Sequence, residues 1–267
     1  MCIRDRAWRA PRLRCVLHGG EPCPQPLKRR MIDWLGPILV EYYGMTEGGM
    51  SVATSEEWLA RPGTVGRPTL GMDVRILGSE GEPLPAGEQG TIYFSRGTGR
   101  SFEYHNAPGK TDAAHIAGGA FTVGDVGYVD ADGYLYISGR TAEVIVSGGV
   151  NVYPAEIEDV LFALPEVADA CVVGGPDEAR GETPVAFVVL DRAVVARDAS
   201  AETRALRAIE AACEAQLGGY QRPRSFVVRD AVPRDPTGKL LRHQVRAELW
   251  QGKESAFAAP ARDAKGS

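Results

Sequence analysis

Cysteine is sparse in this chain of 267 residues, and its five copies, at positions 2, 15, 23, 171 and 213, form no Cys-x-x-Cys pair and no regular spacing. That scatter excludes a disulfide framework and a structural zinc site, and it fits a reducing cytosol. The four histidines, at 18, 105, 115 and 243, are equally dispersed, so no metal cage is visible. Long apolar runs are missing too. None approaches the roughly 20 residues of a membrane span, and the arginine-bearing opening lacks the apolar core of a signal peptide. A cytoplasmic protein with no transmembrane segment is expected, with Met1 to Arg6 read as a flexible basic leader. Charge of one sign is not in excess: the net charge of -5 gives no hint of a nucleic-acid partner. Internal repeats and interpretable low-complexity tracts are absent, and the sequence does not specify an oligomeric state.

What is present is an ordinary globular composition, 44% hydrophobic and 24% charged, in a chain long enough for one or two domains. Leu13 to Leu17 reads as a strand running into His18-Gly19-Gly20-Glu21. Leu27, Met31 and Leu35 mark an amphipathic helix stopped at Gly36-Pro37, and Ile38-Leu39-Val40 reads as a buried strand ending at the Tyr43-Gly44 turn. In such a strand, helix, strand unit, ligands gather at the carboxyl ends of the strands, where both Gly-containing turns fall. From Pro62 to Ile137 short strand-like runs alternate with Gly/Pro turns, predicting an antiparallel, barrel-like β-subdomain. Tyr128 to Ile137 reads as a hairpin around Asp130-Ala131-Asp132-Gly133. Beyond it the pattern predicts a helix over Pro154 to Leu164, strands at Ala170 to Val173, Val185 to Leu190 and Ser225 to Arg229, a helix from near Ser200 to Leu217, and a last helix carrying Leu241, Val245 and Leu249. This second region is a small α+β unit, followed by a polar tail read as disordered.

Several residue groups have the chemistry of a phosphate-bearing ligand, each beside a plainer alternative. Gly19 and Gly20 let backbone approach a flat base, with Tyr43 offering an aromatic face; both turns are equally turns. Thr46 is a hydroxyl that can reach a phosphate, and Glu47 a hard oxygen ligand for Mg²⁺. Asp125 stands in a Gly-bracketed turn just before the hairpin, either as a turn cap or as an acceptor for the vicinal hydroxyls of a ribose. Arg96 to Arg100 contains Gly-x-Gly, but the third glycine of a dinucleotide fingerprint is replaced by Phe102. Pro236-Thr237-Gly238-Lys239 is no P-loop, because Pro233 and Leu240 stand where glycine and Ser/Thr are required. On a flexed loop, Lys239 suits delivery of a point charge to a transition state spread over a carboxylate and an α-phosphate; alone, it is equally a solvated lysine.

Taken together, Phe121 to Glu158, His18-Gly19-Gly20-Glu21, Glu41-Tyr42-Tyr43-Gly44-Met45-Thr46-Glu47 and Pro233-Arg234-Asp235-Pro236-Thr237-Gly238-Lys239 resemble, in this order, the adenylate-forming superfamily of acyl- and aryl-CoA synthetases, peptide-synthetase adenylation domains and luciferases. The resemblance implies the end of a large α/β domain with its β-rich subdomain over 1–139, a hinge over 140–142 centred on Ala142, an α+β lid over 143–250, and a tail over 251–267. It implies ATP or AMP held by Gly19, Gly20, Glu21, Glu41, Tyr42, Tyr43, Gly44, Asp125 and Arg140, Mg²⁺ on Glu47, catalysis by Lys239, Thr46 and Glu47, and coenzyme A passing Ser147, Gly148 and Gly149. The implied reaction joins a fatty, steroid or aromatic carboxylic acid to coenzyme A through an acyl-AMP. A peptide-synthetase adenylation domain, or a non-catalytic nucleotide-binding module, remains open. Ala142 departs from the Asp or Lys usual at the hinge, with Glu143 next to it, and Val123 replaces the usual Thr before Gly124-Asp125. The family's Ser/Thr/Gly-rich pyrophosphate loop, which precedes the Gly-Gly segment, has no counterpart here, so the chain by itself is expected to be inactive.

Overall fold

The computed structural model describes residues 11–69, 71–97 and 102–251. The basic leader, positions 98–100 of the Arg96 to Arg100 loop, and the tail from 252 onward lie outside the described residues. The chain divides into two compact units, Met1–Ala142 and Glu143–Ser267.

The first unit is built on one eight-stranded sheet. Its elements are β1 (Val16–Gly19), α1 (Gln25–Leu35), β2 (Leu39–Gly44), β3 (Met50–Ala53), α2 (Ser55–Ala60), β4 (Thr64–Pro68), β5 (Asp73–Leu77), β6 (Gly90–Ser95), α3 (Pro108–Ala114), β7 (Asp125–Val129) and β8 (Leu135–Arg140). Strand order is β1-β2-β3-β4-β8-β7-β6-β5. Only β1 and β2 run parallel, joined by α1 as a crossover needs. The remaining pairs are antiparallel. The β-rich part is barrel-like in its interior: Val65, Ile76, Ile92, Phe94, Phe121, Leu135 and Tyr43, drawn from five strands and a loop, pack in one apolar cluster. In hydrogen bonding the strand path stays open, with β1 and β5 at its ends. The first strand begins at Val16 rather than Leu13 and carries His18 and Gly19 within it. Two short helices escaped the sequence reading. α2 has only six residues and no apolar stripe, and is fixed by a capping box between Thr54 and Glu57. α3 opens on Pro108 and is made of small and polar residues.

A short 3-10 turn, Thr141–Glu143, follows β8. The second unit contains β9 (Ile145–Ser147), β10 (Val150–Val152), α4 (Pro154–Phe162), β11 (Val167–Asp177), β12 (Gly181–Leu190), α5 (Ala199–Gln216), β13 (Ser225–Val228) and α6 (Arg242–Leu249). β11 and β12 form a long antiparallel pair; β9 meets β12 at its first residue, and β13 runs parallel along Val185 to Val188. The period of two sorts these strands onto two cores. Ala170, Val172, Ala186 and Val188 face α4 and α5 with Ile157, Leu161 and Ile209, while Cys171, Val173, Val185 and Phe187 face Val232 and Val245 of the α6 side. Burial on both faces explains why these strands read as continuous apolar runs. α5 starts at Asp198, whose side chain accepts the Ala201 N–H, and ends before Gly218-Gly219. α4 stops at Phe162, two residues short of the expected Leu164. No helix among the described residues is long and apolar enough to cross a membrane.

Close strand approach at Gly66 is the constraint most exposed to a single change. Its φ is +90° and an added Cβ would stand 1.8 Å from the Val52 carbonyl oxygen, whereas Gly81, at +84°, has open space around it. Gly66→Ala is expected to cost roughly 3 kcal/mol or more, and Gly81→Ala about 1 kcal/mol, the strain of a positive φ alone. Equal urea midpoints for the two variants would show that the β3–β4 approach is not the constraint.

Candidate functional site

The carboxyl ends of β1 and β2 bring the glycine turns together. Gly19 pairs with Tyr42, and a Cβ at Gly19 would lie 2.3 Å from the Tyr42 carbonyl oxygen and 2.9 Å from its ring. Glycine is therefore required there for packing, and Gly20 for its φ of +89°. Of the two tyrosines expected at a nucleotide, Tyr43, read as the aromatic face, is the less exposed. Successive strand residues face opposite sides, so Tyr42 is the exposed ring beside the Gly19-Gly20 turn. Tyr43 turns inward to the apolar cluster, its ring 6.0 Å from that of Phe94.

Tyr43 meets Asp125 there. Asp125 is not a turn residue ahead of the hairpin: it is the first residue of β7, paired in register with Arg140 at the end of β8. The Tyr43 hydroxyl donates to Oδ2, and Arg140 Nε donates to Oδ1 at 3.1 Å. Burial first, and the Asp125 charge second, push the Tyr43 phenol far upward, so it stays protonated and remains a donor. The Asp125 side chain is only 7% exposed and the Arg140 side chain 50%. A carboxylate has about four acceptor positions, and two are used. The remainder can take two further donors from a ligand.

Glu47 follows β2. Its carboxylate accepts from Thr46 Oγ1 at 2.9 Å and from Tyr104 Oη at 2.9 Å. Burial pulls its pKa upward, but the bonds from Tyr104, its own backbone and Thr46, with the nearby Lys110 charge, outweigh burial and hold it below the usual carboxylate value. Lys110 stands 4.1 Å over the Tyr104 ring. Tyr104, ahead of α3, and Lys110, within it, are partners that sequence reasoning missed. An ionised, partly exposed carboxylate fits Mg²⁺. Because no group of three or more Asp, Glu, His or Cys among the described residues could hold a metal, the ion would take Glu47 together with ligand phosphates, the mode Mg²⁺ favours.

Glu41 has a different position from the one expected of a nucleotide contact. It is buried in an ion pair with Lys28 of α1, which is 0% exposed and lies 5.0 Å from the Trp58 ring centroid. The pair anchors the helix to the sheet. His18 Nε2 is buried with no hydrogen-bond partner among the described residues, and burial lowers the imidazole pKa. Burial likewise pushes the Cys23 thiol up to about 11, which leaves it unreactive. Glu21 and Gly44 lie at the ends of the same two strands.

In the second unit, Gly148 and Gly149 are the two-residue turn of the β9–β10 hairpin, both with positive φ (56° and 84°). Two-residue hairpin loops of this kind need positive φ at both positions, which glycine supplies. Ser147 is wholly buried, and its hydroxyl has no hydrogen-bond partner among the described residues; of the three, the exposed positions are Gly148 and Gly149. Next to Gly148 stand Arg180 and Tyr220, the guanidinium 5.0 Å from the ring centroid. They open a groove of about 560 Å³ lined also by Arg222, Arg224 and Phe226, with Glu210 and Glu214 of α5 on its wall. Composition gave no signal for this groove, since its arginines come from two separate loops. Lys239 lies on a tight turn: the Asp235 carboxylate accepts the Thr237 and Lys239 N–H groups at 2.8 and 3.0 Å, and Arg234 bridges the Gly238 carbonyl and Asp169. The Lys239 ammonium forms no ion pair among the described residues.

With this geometry in view, the comparisons with known proteins agree. Residues 4–101 match the model of the AMP-binding enzyme family, and residues 156–239 match the AMP-binding enzyme C-terminal domain. The chain is 39% identical over 235 residues to the 2-succinylbenzoate--CoA ligase of Geobacillus kaustophilus (strain HTA426), covering 87% of this chain and 46% of the relative. It is 40% identical over 243 residues to the medium/long-chain-fatty-acid--CoA ligase FadD8 of Mycobacterium tuberculosis (strain ATCC 25618 / H37Rv), covering 90% and 42%. Among solved structures it matches O-succinylbenzoate coenzyme A synthetase (MenE) from Bacillus subtilis in complex with ATP and magnesium ion, with a TM-score of 0.72 and 33% identity over 88% of this chain and 47% of that one. The chain thus spans about half the length of the curated relatives it matches. It belongs to the AMP-binding enzyme family, whose named relatives are acid-CoA ligases and whose two family models between them take in more than half of this sequence.

Proposed function

We propose that this chain supplies the C-terminal portion of an ATP-dependent acid-CoA ligase: a carboxylate and ATP give acyl-AMP and pyrophosphate, and the thiol of coenzyme A then displaces AMP to form the thioester. The observation that carries the reading is Asp125, buried, held by Tyr43 and Arg140, and retaining acceptor capacity at the end of the sheet where Gly19, Gly20 and the exposed Tyr42 also lie. In this reading the free acceptor positions of Asp125 take the ribose hydroxyls. Arg140 reaches the ribose or phosphate, the Gly19-Gly20 backbone and Tyr42 border the base, and Glu21 and Gly44 frame it. The likeness to a structure with ATP and magnesium supports this placement.

Glu47 would hold Mg²⁺, which when bound offsets phosphate charge, and Thr46 orients Glu47 or reaches a phosphate oxygen. Lys239, presented on its pinned turn, places one positive charge where the carboxylate attacks phosphorus. The second unit acts as a lid turning about 140–142. Gly148 and Gly149, without side chains, let the thin pantetheine arm pass. The groove beside them fits the nucleotide end of coenzyme A, with Arg180, Arg222 and Arg224 for its phosphates and Tyr220 as an aromatic face. The acid is a small carboxylic acid of the aromatic or fatty class that the relatives take.

Two measurements test the reading in a protein extended upstream to the length of the relatives. Asp125→Ala should weaken AMP binding to the folded protein by about 1.5 to 3 kcal/mol, the worth of a charge-assisted hydrogen bond, and should also lower the melting temperature, because the Tyr43 and Arg140 bonds are lost with it. Unaltered affinity in a protein that unfolds more easily would leave Asp125 as a bond between strands and nothing more.

The half-reactions should also separate. Lys239→Ala removes a charge needed only in adenylate formation, so pyrophosphate exchange should fall by orders of magnitude while thioester formation from supplied acyl-AMP survives. Arg224→Glu should do the reverse, because an interaction made in one transition state affects that step alone. Equal losses in both steps for both variants would defeat the assignment of the two sites.

A further inference from the structure

Arg242 opens α6 three residues after Lys239, and its side chain is 14% exposed. Nη1 and Nη2 grip both carboxylate oxygens of Glu158 in α4, and Nη1 also donates to the Val172 carbonyl of β11 at 3.2 Å. Val172 returns its N–H to Glu158 at 2.8 Å. The remaining edge of the guanidinium, Nε, pairs with Glu143 at 3.1 Å. Glu143 is the first residue of the second unit and directly follows Ala142. The rigid fork of arginine therefore fixes three things with one group: the helix α4, the central strand β11, and the residue at which the chain enters the unit.

The loop bearing Lys239 is tied to the same group. The Leu241 N–H donates to the Pro233 carbonyl at 2.9 Å, and Arg234 and Leu240 form an isolated bridge, closing the loop at its base immediately before Arg242. The Glu143 side chain is 37% exposed, so its pair with Arg242 adds little to stability. Its effect is directional. Ala142 has no side chain with which to steer, and Glu143 is the nearest residue after it that grips the body of the unit.

We propose that Arg242 is a positioning residue that couples the Lys239 loop to Glu143, so that the lysine turns together with the segment leaving the hinge. This rests on the ligase reading, and the test separates the two. Arg242→Ala would leave Glu158 buried and uncompensated and could prevent folding. Glu143→Ala instead frees Nε while Arg242 stays on Glu158, and Glu143→Gln keeps an acceptor for Nε. In the 267-residue chain itself, Glu143→Ala should speed amide hydrogen exchange across 234–241 by about threefold or more without changing the melting temperature, and Glu143→Gln should restore most of the protection. In the upstream-extended protein, Glu143→Ala should lower the kcat of adenylate formation about tenfold with the KM for ATP nearly unchanged. Unchanged exchange would overturn the coupling. Faster exchange with unchanged kcat would overturn its role in positioning the lysine. If Lys239→Ala left adenylate formation intact, the ligase reading itself would fall, while the exchange measurement would still decide whether Arg242 joins the two segments.

Discussion

The bond set at Asp125 is what the first unit is arranged around. One carboxylate joins the end of β2, the start of β7 and the end of β8, and its partner Tyr43 lies 82 residues away in sequence. It thereby ties the parallel β1–α1–β2 unit to β7 and β8 directly, beside the path through β3 and β4 and the packing of Tyr43 on Phe94. A buried carboxylate is costly unless its charge is met, and here a phenol and a guanidinium meet it. Each such bond is worth about 1.5 to 3 kcal/mol, the figure for Arg140 being reduced by solvent at its half-exposed side chain. The same economy leaves acceptor positions over. In the proposed function, a group that holds three strand ends in register would double as a preorganised receiver of hydroxyl donors, with its orientation fixed before any ligand arrives.

The second unit solves a different problem. Its β11–β12 pair is buried on both faces, so each face needs its own cover, and α4 with α5 supply one while α6 and the Val232 segment supply the other. That leaves hairpin turns and loops as the surface on which chemistry can be placed. The Gly148-Gly149 turn, the arginine groove and the Lys239 loop are all of this kind, held on a rigid sheet in the way that functional loops are usually held. The Lys239 turn is stiffened by Asp235 from within and by Arg234 from outside, so a flexible lysine is presented on a base that is not flexible.

Legibility followed locality. Helices with an apolar stripe, α1 and α5, and the β7–β8 hairpin with its Asp-Gly turn were readable because their signals lie within one stretch of chain. α2 was missed although Thr54 and Glu57 spell a capping box, because six residues show no periodicity. Which of Tyr42 and Tyr43 is the exposed ring was not readable for a physical reason: alternation says that adjacent strand residues face opposite sides, but not which side is the core. The burial of Ser147 was not readable from its polarity. In β9 the hydroxyl is buried and its neighbour Val146 is exposed, the reverse of what hydropathy suggests. Glu41, paired with Lys28, and Glu47, bound to Tyr104, depend on partners 13 and 57 residues away, and no local pattern carries that information.

In the proposed hinge, Ala142 and Glu143 would absorb a departure from the family pattern. A hinge residue with a charged side chain can be steered by whatever it pairs with, and alanine cannot. The structure moves that grip one residue along, to Glu143, and attaches it to an arginine already committed to Glu158. Because Arg242 is immobilised by two hydrogen bonds to one carboxylate and one to the Val172 carbonyl, the contact with Glu143 costs little further side-chain entropy to make, which is where most exposed ion pairs lose their worth. A weak pair on a fixed arginine can thus set direction where the same pair between two mobile side chains would not, and Glu143 inherits from Arg242 an order that its own exposure would deny it.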